Sequence, residues 1–270
     1  MRRKSLWFTL GGLGVAVFAA CSPDPPVISA SDVYIPYGLS SRNAYTGIHD
    51  RAKKNWSEDY GKPSSRTVSI NKTGFGFPIK LTRKSGSSKS ASQILKEVNV
   101  RKDFLSYSAR GRTRKKMSPK YITIHSTQNW SPGADANRHA LALKRGALGR
   151  LSWHYTTDEN RAVQHLPTNE QGNHADYDGP GNRYSIGIEM CEHPGNSRTR
   201  TVDRTAKLAA YLCVKYGLQV SKVVPHYKWP RWGKNPPNKN CPHFLLNNGR
   251  PGREWQKFLS KVESYHRQIR

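Results

Sequence analysis

YITIH, residues 121–125, is the stretch from which the rest of the chain is read. Ile122 and Ile124 point one way while Tyr121, Thr123 and His125 point the other, the period of two expected of a half-buried β-strand. The compact part of the chain is therefore expected to start near Tyr121. Downstream, WHYTTD and RAVQHL read as two strands joined around Asp158-Glu159-Asn160, which is turn chemistry. YSIGIEMC repeats the alternation, with Ile186, Ile188 and Met190 on one face and Ser185, Gly187, Glu189 and Cys191 on the other. KVVPH is a further short strand, again ending on a histidine, His226. Between the strands, helices are expected over 132–145, with Pro132 as an early helical residue, and over 203–216, ended by Gly217. Trp255, Phe258, Leu259 and Val262 lie at i, i+3, i+4 and i+7 and predict a closing helix. This order predicts an α/β domain with a mixed, mainly β central sheet flanked by helices.

Two of these strands deliver histidines, and the stretch after the second, HYKWPRWGKNPPNKNCPH (226–243), adds Lys239 and Cys241. His125, His226 and Cys241 offer three zinc ligands from separate segments, leaving a tetrahedral position open, whereas structural zinc sites are closed by four protein ligands. Lys239 places a cation beside that position. The competing reading is scattered surface histidines and a buried free thiol. Glu189 sits mid-strand among apolar neighbours, and a buried carboxylate needs a partner or a function. On the same face, Gly187 removes a side chain and leaves room for a ligand. The alternative is an edge-strand glutamate facing solvent.

The remaining length is of a different character. Hydrophobic residues make up only 35% of the 270 and the formal net charge is +27. Residues 1–120 carry 23 basic and 7 acidic side chains, a net of +16. Such an excess implies an anionic partner, whether nucleic acid, membrane surface or wall polymer. The amino terminus chooses among these. Three basic residues precede an uncharged, mostly apolar run from Ser5 to Ala20, too short for a span of about 20 residues and suited to a signal-peptide core. Ala19-Ala20-Cys21 resembles the lipobox of bacterial lipoproteins, with Phe18 where that pattern prefers leucine. A plain secretory signal or an uncleaved anchor is the alternative. Export of either kind argues against DNA binding. Residues 1–20 are thus read as a signal peptide, and 21–104, poor in apolar periodicity and rich in Ser, Pro, Gly and basic residues, as a basic, largely disordered linker. Residues 105–265 are read as the folded domain. Cys191 and Cys213 are left as either a disulfide pair or two core thiols.

YITIHST, SWHYTTDENRAVQHLP, GNHAD, GNRYSIGIEMC and KNCPHFLL, in this order, resemble the zinc-dependent N-acetylmuramoyl-L-alanine amidases of the type 2 amidase family. That family includes phage endolysins, bacterial autolysins and the peptidoglycan recognition proteins, and the pattern is most similar to the secreted bacillary autolysins. The resemblance covers about 105–265 and none of the linker. It implies that His125, His226 and Cys241 bind zinc, the third ligand being aspartate in some relatives. It further implies Glu189 as the catalytic acid–base, Lys239 as the lysine beside the third ligand and His174 as a histidine lining the substrate groove. Trp153 stands where some members carry a tyrosine, and Ser126 where some place asparagine.

The implied reaction is hydrolysis of the amide between N-acetylmuramic acid and L-alanine in peptidoglycan. Trp153, Trp229 and Trp232 either stack on sugar rings or pack in the core. His154 is read as a hydrogen-bonded structural residue, and His139, His165 and His243 as surface or loop residues. The expected cell-envelope protein is exported and anchored to a membrane through Cys21 (periplasmic or outer-membrane in a diderm), with its basic linker on anionic wall or envelope polymers. Two other classes stay open: a non-catalytic muropeptide-binding lipoprotein, and a basic nucleic-acid binder, which fits the charge but not the export signal.

Overall fold

A computed structural model of the chain describes residues 88–269. The expected signal peptide, Cys21 and most of the linker lie outside the described residues. Along the chain run α1 (Ala91–Val98), β1 (Val100–Lys102), β2 (Tyr121–Ser126), α2 (Ala136–Lys144), β3 (Tyr155–Thr157), β4 (Ala162–Gln164), α3 (Pro180–Tyr184), β5 (Ser185–Met190), α4 (Arg198–Tyr216), β6 (Val223–Pro225), β7 (Leu246–Asn247), β8 (Arg250–Pro251) and α5 (Arg253–Gln268). Six strands form one sheet in the order β1-β4-β3-β5-β2-β6, parallel throughout except for the β3–β4 hairpin. The expected mixed sheet flanked by helices is the observed architecture.

Alternation in β2 and β5 sets the two faces. Ile122, Ile124, Ile186, Ile188 and Met190, all fully buried, join Leu208, Leu212, Phe258 and Val262 of α4 and α5 in the main core. Helix α4 is held at both ends: the Ser197 side chain accepts from the Arg200 N–H, and Gly217, at φ +62, takes the left-handed conformation that closes the last turn. Helix α2 packs Ala136 and Ala140 against Val163 and Cys191. Asp135 caps it, so it starts four residues after Pro132, which lies in the preceding turn rather than in the helix.

The fold begins earlier than the sequence suggested. Residues 91–102, placed in the linker above, form α1 and β1, and β1 pairs with β4. Ser90 and Gln93 make a reciprocal capping box at the start of α1. Ile94 and Val98 are fully buried in the main core, a contribution of roughly 1.5–3 kcal/mol each. The Arg204 guanidinium of α4 donates to the carbonyls of Glu97 and Val98, so a cation closes the C-terminal end of α1. One apolar turn amid Ser and Lys gives little periodicity, which is why the element was hidden.

Cys191 and Cys213 are free thiols, buried in different clusters, so no disulfide joins them. Among the described residues no helix is long and apolar enough to cross a membrane.

Two buried histidines link this core to pH. His154 donates from Nε2 to the Glu170 carbonyl and accepts the Gly187 N–H at Nδ1, as a structural histidine does. His165 shares a bond between Nε2 and Thr156 Oγ1 and is also buried, contrary to the surface reading. Burial lowers the first from 6.5 to about 4 and the second from 6.5 to about 3. Both stay neutral when folded and take protons when unfolded, so their stabilisation is complete above 6.5 and is lost as pH falls towards 4. Metal-free protein taken from about pH 7 to about pH 5 is expected to lose roughly 2 kcal/mol for each of these two histidines, with the buried His125, His174 and His226 adding to the loss, read as a falling urea midpoint. An unchanged midpoint would contradict the neutral assignment.

Candidate functional site

Strand register brings the predicted residues to one level. His125 in β2 stands opposite Glu189 in β5, and Glu189 opposite Thr156 in β3. Ile124 pairs with Pro225, so His226, the next residue, leaves β6 level with His125. All three site residues therefore sit at the C-terminal ends of parallel strands. Glu189 lies on an interior strand, which removes the edge-strand reading. Cys241 arrives from the long loop after β6, where its backbone carbonyl accepts the Tyr227 N–H and its Sγ accepts the Ser126 N–H at 3.4 Å. One ligand atom each of His125, His226 and Cys241 lies within 4.8 Å of the others, and all three residues are buried.

The hydrogen bonds fix which nitrogens carry protons. The Ser185 carbonyl can only accept, so His174 Nε2 donates to it at 3.2 Å. His174 Nδ1 is then an acceptor, and it receives the proton of His125 Nε2 at 3.0 Å. His226 Nε2 likewise donates to the Ala175 carbonyl at 3.1 Å. Burial holds all three imidazoles below the usual histidine range, hence neutral. Each remaining Nδ1, on His125 and His226, therefore presents a lone pair, and these two atoms face each other at 2.9 Å. Two acceptors at that distance repel unless a cation lies against both. Cys241 Sγ, 4.0 Å from His125 Nδ1, completes a set of two imidazole nitrogens and one sulfur that suits zinc among divalent ions. Burial pushes the Cys241 thiol up to about 12, while the Lys239 ammonium draws it back.

His174 is therefore engaged through both ring nitrogens. It lies beneath His125, holding that ring's tautomer and orientation as an outer-shell partner does. The space at Gly187, read above as room for a ligand, is filled by this ring: a Cβ there would come within 2.9 Å of three of its atoms. Gly187→Ala is expected to displace His174, and through it His125, lowering zinc affinity by about 10–100-fold. Competition with a colorimetric chelator measures this; unchanged affinity would remove His174 from the support of the site.

The Glu189 side chain retains 16% exposure, with Oε1 3.8 Å from His125 Nδ1. Its Oε2 is buried without a hydrogen-bond partner. Burial raises its carboxyl to about 8, Lys239 opposing and Glu192 adding to the rise. The positive charge of Lys239 also lowers His125, His226 and Cys241.

Other aromatic and acidic residues depart from the sequence reading. Trp153 is 6% exposed, packed with Leu105, Leu143 and Leu166, and its indole N–H is bonded to Thr156 Oγ1; it is a core residue, not a groove wall. Trp229 is likewise buried and donates to Thr123 Oγ1, while Trp232 is 71% exposed. The sequence reading missed Glu192, whose buried Oε1 accepts the Gln128 N–H and whose Oε2 lies 3.3 Å from His243 Nε2. His243 in turn reaches Ser126 Oγ at 3.3 Å and the ring of Trp130, which is 50% exposed. These residues tie the loop after β2 to the Cys241 loop. Strand alternation could not reveal them, because Gln128, Trp130, Glu192 and His243 lie beyond the strand ends.

Comparison with known proteins bears on this geometry. The N-acetylmuramoyl-L-alanine amidase family matches residues 115–244, a span that includes His125, His174, Glu189, His226, Lys239 and Cys241. The N-acetylmuramoyl-L-alanine amidase CwlH of Bacillus subtilis (strain 168) is 37% identical over 62% of this chain and 62% of its own length. XlyA of the same organism is 40% identical over 61% of this chain and 51% of its own. The chain thus spans less than two thirds of either full-length relative. It does cover 99% of the solved catalytic domain of XlyA, at 38% identity and a TM-score of 0.54.

Proposed function

The chain belongs to the N-acetylmuramoyl-L-alanine amidase family, and from that premise we propose that it hydrolyses the amide between the lactyl group of N-acetylmuramic acid and L-alanine in peptidoglycan. The observation that carries this reading is the convergence of His125, His226 and Cys241 beside the Glu189 carboxyl. These three residues would hold zinc, which when bound polarises a carbonyl and makes water acidic enough to deprotonate near neutral pH. Glu189 takes a proton from the attacking water and returns it to the leaving amine of L-alanine as the C–N bond breaks. Burial raises this carboxyl above the usual glutamate range while Lys239 draws it back, the opposed pulls that a group both taking and returning a proton near neutral pH requires. Lys239 supplies positive charge where the carbonyl oxygen gains negative charge. His174 keeps His125 in the tautomer that the site requires. Chelation should abolish release of peptide from sacculi and added zinc should restore it; release that survives chelation would overturn the metal assignment.

We further propose that Cys21 is lipidated and that residues 1–20 act as an export signal, on the strength of the short apolar run ending in Ala-Ala-Cys. The basic stretch that follows adds electrostatic attachment to anionic envelope polymers, because one acyl chain alone binds membranes only marginally. Cys21→Ser is expected to move the active protein from the membrane to the soluble fraction, or to stall its processing. Wild-type fractionation of that variant would contradict lipidation.

A further inference from the structure

The catalytic reading uses the C-terminal ends of β2, β5 and β6 with His174 and the loop that carries Lys239 and Cys241. The opposite ends of the same strands carry a separate chemistry. Residues 104–134 contain six basic and no acidic side chains. Arg112 and Glu170 form a half-buried ion pair, and Glu170 also accepts the N–H of Arg114, whose backbone is left-handed at φ +60. The loop is therefore anchored, with its one neighbouring carboxylate already engaged. Arg110, Arg114, Lys115, Lys116 and Lys120 all remain exposed. Lys222, at the N-terminal end of β6, is exposed as well. None of the six takes part in an ion pair among the described residues. Nearby acids are committed elsewhere: Asp103 to Arg101 and Lys144, Asp178 to Arg183, and Asp135 to the cap of α2.

Tyrosine rings order several of these cations. Arg114 lies over Tyr107 at 5.7 Å, Lys120 over Tyr184 at 4.8 Å and Lys222 over Tyr121 at 5.1 Å. The Lys120 N–H donates to the Tyr184 carbonyl, and Ile122 pairs with Val223, so Lys120, Tyr121, Tyr184 and Lys222 share one rim of the sheet. Five residues of strand separate Lys120 from His125, about 17 Å at 3.3–3.4 Å per residue. A ligand on this rim does not compete with substrate at the site.

We infer that this rim is a docking surface for a linear phosphodiester polymer of the kind that accompanies peptidoglycan. Pre-placed cations reduce the ordering cost of binding, and guanidinium forks match phosphate oxygens. A membrane surface fits less well, because interfacial binding needs apolar side chains that enter the lipid. Here Tyr107, Tyr184 and Tyr121 carry cations over their faces, which leaves Phe104, 41% exposed, as the apolar ring of this loop. The inference stands apart from the proposed hydrolysis, since binding is read without turnover.

The test is binding of fluorescent poly(glycerol phosphate) to the full chain over a series of salt concentrations. Combining Arg114→Gln, Lys115→Gln, Lys116→Gln and Lys120→Gln is expected to weaken binding at least about tenfold and to flatten the salt slope by about 3, at about 0.7 per phosphate contact. Turnover of a soluble muropeptide should be unchanged, which also shows that the variant folds. Four substitutions at the start of α4 and in the part of α5 that packs beside Asp203, Arg198→Gln, Arg200→Gln, Lys261→Gln and Arg267→Gln, should cost much less. Equal losses from both sets would reduce the effect to diffuse net charge and overturn the surface. Tighter binding to phosphatidylglycerol vesicles or to duplex DNA than to the polymer would overturn the assigned partner.

Discussion

Glu189→Gln is expected to keep its zinc and lose turnover by roughly 10²–10⁴-fold, the range typical when acid–base catalysis is removed. The amide keeps the shape of the carboxyl but cannot take a proton from water. Metal should stay bound, because the proposed ligand atoms belong to His125, His226 and Cys241, and Glu189 Oε1 lies 3.8 Å from His125 Nδ1. Glu192, although buried and close by, is tied to the Gln128 N–H and beside His243, so it is not expected to substitute. Rate and bound zinc must be measured on one preparation. Near-normal turnover would remove Glu189 from the chemistry, and loss of zinc would make it a support of the site instead.

Removing a ligand should have the converse signature. Cys241→Ala and His226→Ala are expected to lose both zinc and activity while the sheet stays folded, because the main core of isoleucines, α4 and α5 does not include the site. A native-state ligand at about a thousand times its dissociation constant stabilises by about 4 kcal/mol. Wild type should therefore gain melting temperature with zinc, and the two variants should gain none. Cys241→Asp, which restores an anionic donor, is expected to recover part of both properties. Full zinc content in either alanine variant would contradict the three-ligand set.

The strands and the convergence of His125, His226 and Cys241 were legible because both obey local rules. Alternation in YITIH and SIGIEM set the faces, and each histidine falls where an apolar run stops. Burial was less legible. His174 and His165 looked available and Trp153 was open to either reading, yet all three are buried. Gly187 was correctly marked as a gap, but the sequence could not say that a histidine fills it. The Glu192–His243–Ser126 contacts join three segments far apart in the chain, which no periodicity records.

The amidase reading itself is tested most directly by mass spectrometry of the products released from purified sacculi. The reading predicts stem peptides with a free L-alanine amino terminus and glycan strands whose muramic acid lactyl groups are free carboxylic acids, absent when the chelated protein is used. New reducing ends on the glycan, or cleavage within the stem peptide, would contradict it.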